Sequence, residues 1–122
     1  MLQLARFDTP GPFALPMHRS DATGRPLLKL GDFGADLIHF EAGGRVEMHT
    51  HPGDHILFAL AGRGVVVYEG TPHDLEPGVC YLIPGSAPHA VYAAADTPLT
   101  LAVVGNRHIP VDCVARLDPA DG

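Results

Sequence analysis

The 122-residue sequence has no tryptophan, one lysine (Lys29), two serines and two cysteines. Each scarcity excludes something. Eight Lys+Arg stand against 14 Asp+Glu, for a net charge of −6. That balance provides no basic face for a phosphate backbone, so no nucleic-acid partner is expected. Neither Ser20 nor Ser86 sits in a nucleophile elbow, which argues against a Ser-His-Asp hydrolase. No G-x-x-x-x-G-K stretch exists to cradle a phosphate. Cys80 and Cys113 lack metal-ligand spacing. They could form one disulfide, but without a secretion signal two reduced, partly buried thiols are expected. No apolar run approaches 18 residues, which excludes a transmembrane helix, and no membrane partner is expected. The N-terminus has no charged stretch followed by an apolar one, so the expected location is cytoplasmic.

What the chain has is turns. Glycine and proline make up 26 of its 122 residues. They punctuate short apolar runs at 26–30, 35–41, 45–49, 55–61, 64–69, 79–83, 89–95, 98–104 and 111–116. No window longer than ten residues keeps a helical apolar period free of glycine and proline. Short strands at roughly ten-residue spacing predict an all-β sandwich or barrel in a single domain, 1–122. Residues 1–25 are expected to form an N-terminal arm with one edge strand (Leu2 to Phe7), and 118–122 a tail.

The eight histidines equal the whole Lys+Arg count. His49 and His51 are two apart in an extended run, so their imidazoles point the same way. His55 follows one short turn later, and His89 opens a separate strand. A barrel can aim all four at one interior point. Neutral imidazoles suit Zn, Cu, Fe and Ni, and a roomy site admits Mn.

This spacing resembles the cupin motifs. Gly43 is followed by five residues, His49-Thr50-His51, three residues, His55, six residues and Gly62. Gly78 is followed by five residues, Pro84-Gly85-Ser86, two residues and His89. Fifteen residues separate the motifs, as in small microbial cupins, and the resemblance covers about 35–104. Three positions depart from it. His55 stands where the family has a glutamate ligand, Gly85 is one place early, and Ala93 replaces the terminal asparagine.

The resemblance implies an all-β cupin double-stranded β-helix, a jelly-roll-type barrel. It implies one divalent transition metal per chain (Mn, Fe, Ni, Cu or Zn) and a homodimer. The metal ligands would be His49, His51, His55 and His89, or the other three with His55 behind them. Without the carboxylate, the full dipositive charge would face a substrate. His39 and Glu47 are candidate acid/base residues. Glu47 shares strand parity with His49, and an ordinary structural or rim role is the alternative for each. Phe40, Tyr81, Val91, Leu101 and Val103 are expected in the core and the substrate-pocket wall. His18, His73 and His108 are expected at the surface.

The leading functional expectation is a dioxygenase-type oxidation of a small organic substrate. A metal-dependent isomerase, lyase or cyclase on a sugar acid or keto acid is the alternative. A non-enzymatic, metal-dependent small-molecule binding or sensor module is the third. Fold and ligands fix a site, not a reaction.

Overall fold

The computed structural model describes residues 2–8, 15–16, 20–106 and 118–119. The strands are β1 (Leu15–Pro16), β2 (Ala22–Leu30), β3 (Phe33–Phe40), β4 (Arg45–Thr50), β5 (Asp54–Gly62) and β6 (Gly64–Tyr68). They continue with β7 (Thr71–Leu75), β8 (Cys80–Pro84), β9 (His89–Ala93), β10 (Leu99–Gly105) and β11 (Asp118–Pro119). No helix occurs among the described residues, and so none is long and apolar enough to cross a membrane.

One sheet has the order β1-β2-β3-β10-β5-β8 and the other β11-β4-β9-β6-β7. All of their pairings are antiparallel. From β3 to β5 and from β8 to β10, successive strands alternate between the sheets. That winding gives the jelly-roll-type barrel its two facing walls.

The burial pattern follows the pleat. On β3, Asp36, Ile38 and Phe40 are buried, while Ala35, Leu37 and His39 are half-buried on the opposite face. On β10, Leu99, Leu101 and Val103 point inward. They meet Val46, Val66, Val91 and Ala93 of the other sheet in one apolar cluster. Burying each Leu or Val side chain contributes about 1.5–3 kcal/mol of transfer free energy.

Five features differ from expectation. β2 begins at Ala22, so residues 22–25, expected in the N-terminal arm, belong to the six-stranded sheet. Residues 2–8 form no backbone-paired strand; the Gln3 side chain instead bonds both backbone groups of Lys29. β7 joins the barrel as a mostly exposed strand beside β6. Asp118–Pro119, expected in the tail, pair with His49 and Thr50 of β4. Cys80 is a free thiol, but an exposed one. His18, His108, Cys113 and the run 111–116 lie outside the described residues.

Candidate metal centre

Register brings the histidines together. His49 of β4 lies opposite His89 of β9. His55 of β5 lies opposite Ile83 of β8 and Gly105 of β10. His51 follows β4, and its N–H donates to Gly85 O at 2.9 Å. One ring nitrogen from each of His49, His51 and His89 falls in a cluster whose atoms all lie within 4.8 Å of one another. His55 is outside that set, although its ring centroid is 4.6 Å from that of His51.

Backbone carbonyls orient the three rings. His49 Nδ1 is 2.8 Å from Glu47 O, and His89 Nδ1 is 2.7 Å from Ala87 O. His51 Nδ1 is 3.2 Å from Pro52 O. A carbonyl only accepts, so each Nδ1 carries the hydrogen and each neutral ring presents a bare Nε2. His51 Nε2 and His89 Nε2 are 3.2 Å apart. Two bare lone pairs at that distance repel unless a proton or a cation lies between them. Nitrogens held about 2.1 Å from one ion, about 90–110° apart, are separated by about 3.0–3.4 Å. That pair therefore has the spacing of two ligands on one divalent transition metal, and the trio is compatible with such a site, with the Nδ1–H donations fixing tautomer and orientation.

Burial pushes His89 down to about 4; donation to Ala87 O opposes this, and the neighbouring His51 adds to the lowering. His89 is thus neutral and ready to ligate at pH 7. The unfolded chain binds a proton at a histidine of ordinary pKa, about 6.5, which the folded metal-free chain refuses. Stability of the metal-free protein is therefore expected to fall as pH drops from about 6.5 toward 4, by up to about 3 kcal/mol. Thermal melts of chelator-treated protein across that window check this. A flat melting temperature would contradict it.

The four histidines line a cavity of about 40 Å³ with Ile38, Phe40, Val46, Leu57, Val91, Leu101 and Val103. That is room for two or three waters or the reactive end of a small molecule. Of the expected wall residues, Phe40, Val91, Leu101 and Val103 are there. Tyr81 is not: it packs against the core and its hydroxyl donates to Asp74 O at 2.7 Å. Ile38, Val46 and Leu57 complete the wall, and their inward parity was the signal for them.

His39 and Glu47 are not brought to the cavity. His39 lies on the outer face of β3, its Nδ1 3.0 Å from Thr100 Oγ1 and its Nε2 3.4 Å from Glu41. Glu47 points to solvent and pairs with Arg45 at 2.8 Å. A bulge between Val46 and His49 explains Glu47, because one extra residue there inverts the parity of β4. Its carbonyl, rather than its carboxylate, serves the site. His39→Ala and Glu47→Gln are expected to leave metal content and turnover within about twofold of wild type. A larger loss in either would return that side chain to the mechanism.

A family model described as "Cupin domain" matches residues 36–105. The chain belongs to the cupin family. The dimethylsulfoniopropionate lyase DddW of Ruegeria pomeroyi is 31% identical to this cupin over 65 residues. Those residues are 53% of this chain and 43% of that protein, so this cupin matches less than half the length of that curated relative. The structure of the DMSP lyase DddQ from Ruegeria pomeroyi is 28% identical, covers 70% of this cupin and 47% of its own chain, and has a TM-score of 0.64. The polyketide cyclase RemF from Streptomyces resistomycificus is 18% identical. It covers 99% of this cupin and 86% of its own chain with a TM-score of 0.77, a likeness of fold.

Proposed function

We propose that this cupin is a metal-dependent enzyme that oxidises a small organic substrate with O₂, in a dioxygenase-type reaction. One observation carries the reading. The cavity wall holds four imidazoles and seven apolar side chains, with no carboxylate among its described lining residues. A lining without a carboxylate favours activation by coordination over activation by a carboxylate base. His49, His51 and His89 would hold the ion, with His55 as the fourth ligand. An ion bound there would supply Lewis acidity and, if redox-active, electron-transfer chemistry with O₂. The chain's own groups do the rest. The Glu47, Pro52 and Ala87 carbonyls keep each Nδ1 protonated and each Nε2 turned inward. Phe40, Val91, Leu101 and Val103 exclude water from the reacting atoms. Both oxygen atoms enter the substrate, so an enol, catechol or diketone supplies the electrons and no external reductant is needed.

The relation to DddW and DddQ favours a second reading, a lyase on a small carboxylate such as dimethylsulfoniopropionate. His55, outside the tight trio, would then be the base. Oxygen uptake separates the two. With the iron, copper or manganese form, one O₂ is expected per enol, catechol or diketone consumed, and the zinc form is expected to be silent. Full turnover by the zinc form, or product from a small carboxylate under nitrogen, would replace the oxygenase with the lyase.

A further inference from the structure

The β4–β5 turn, the β8–β9 turn and the end of β10 meet at the histidine end of the barrel, and one series of hydrogen bonds ties them together. It starts at Asn106, the residue after β10. Asp54 N–H donates to Asn106 Oδ1 at 2.8 Å, and Asn106 N–H donates back to Asp54 O at 3.2 Å. Gly105 admits this pair. It lies opposite His55 in register, and a Cβ there would fall 2.5 Å from Asp54 O and 3.0 Å from His55 Cβ.

The series then crosses to the β8–β9 turn. Gly85 N–H donates to Asp54 Oδ1 at 3.2 Å, and Gly85 O accepts from His51 N–H at 2.9 Å. Two residues on, Ala87 N–H donates to Pro84 O at 3.1 Å, while Ala87 O lies 2.7 Å from His89 Nδ1. One carboxylate therefore fixes the turn that holds both the backbone of His51 and the ring of His89. Asp54 also directly precedes His55.

We propose that Asp54 and Asn106 are positioning residues for the metal ligands, acting through Gly85 on His51 and His89. The proposal rests on the reading of the histidines as ligands and is independent of the reaction. Both residues are exposed, and neither is among the described residues that line the cavity. Their side chains add nothing to the apolar core; what they fix is the turn geometry around the imidazoles. A ligand set must be held to within about 0.5 Å by groups that are themselves fixed. His51 lies one residue past β4, so its bond to Gly85 O does for it what the β4–β9 pairing does for His49. A carboxylate suits the joint, because a charged acceptor makes the stronger bond to an N–H. An amide oxygen in the same place would still accept.

Cobalt(II) titration of the full chain, read by visible absorption, tests it. Wild type is expected to bind one cobalt ion per chain. Asp54→Ala is expected to bind it about 10–100-fold more weakly, with an altered spectrum at saturation, because His51 and His89 meet the ion at changed angles. Asn106→Ala is expected to weaken binding about tenfold. Asp54→Asn keeps an oxygen for Gly85 N–H, so it is expected to stay within about threefold of wild type and to keep its spectrum. The double variant Asp54→Ala/Asn106→Ala is expected to lose no more than Asp54→Ala alone, because the two residues act in series. A merely structural role would lower the melting temperature and leave affinity and saturated spectrum unchanged. Folded Asp54→Ala and Asn106→Ala proteins that match wild type in both readouts would overturn the proposal and leave the metal centre standing. So would an Asp54→Asn as weak as Asp54→Ala, which would make charge, not the bond, the operative property. A wild type that takes up no cobalt would contradict the metal centre itself and the proposal with it.

Discussion

His51→Ala is expected to lower affinity for a divalent transition metal by more than 100-fold while leaving the metal-free protein as stable as wild type. The two halves have different causes. Loss of an imidazole from the trio removes a direct ligand, a greater loss than the 10–100-fold typical of removing an outer hydrogen-bond partner. In the metal-free protein the same imidazole contributes little to folding. Its Nε2 faces His89 Nε2 at 3.2 Å, and the ring is half-buried. Removing it relieves that contact, which offsets the lost packing. Competition with a chromogenic chelator reads the affinity, and melts after chelation read the stability. A drop of several degrees in the metal-free melting temperature, with affinity kept, would make His51 a structural residue.

Gly85→Ala is expected to have the second largest effect, and on both quantities together. A Cβ at Gly85 would lie 2.6 Å from His51 Nδ1 and would overlap Gly53 O and His51 O. Two of these are backbone atoms, and the third belongs to a ring held by Pro52 O. None can yield without moving the turn that carries His51. That turn is closed by His51 N–H on Gly85 O at 2.9 Å and by Gly85 N–H on the Asp54 carboxylate at 3.2 Å. The constraint is steric, since Gly85 is not among the glycines of positive φ. A destabilisation of about 1–3 kcal/mol is expected from overpacking. Metal affinity should fall as His51 is displaced. Denaturant unfolding and metal titration check the pair, and an unchanged affinity would mean that the turn does not position His51.

The motif's glycine normally falls one place later, where this chain has Ser86. The contact around Gly85 shows why the earlier glycine is needed here. Sequence spacing located the position; only the folded turn supplies the reason.

Much of the barrel was legible because glycine and proline bound its strands. β3 to β6 and β8 to β10 lie within a residue or two of the expected runs. β7 was not legible, because Thr71–Leu75 is polar, exposed on four of its five residues and without alternation. Of the candidate site, the H-x-H spacing placed His49 and His51 on one face, and register added His89. Strand parity failed for Glu47, because the bulge that inverts β4 leaves no mark in composition. For His39 the warning was present. Phe40 was expected inside, and adjacent residues of a regular strand cannot share a face. The carbonyls that orient the imidazoles were invisible, because a backbone oxygen has no sequence signature.

The central claim is that His49, His51 and His89 hold one transition metal ion through Nε2. Anomalous scattering from a crystal of the metal-loaded protein tests it most directly. One peak per chain is expected, about 2.0–2.2 Å from all three Nε2 atoms. A loaded crystal whose peak lies elsewhere, or that shows no peak within reach of these three nitrogens, would contradict it.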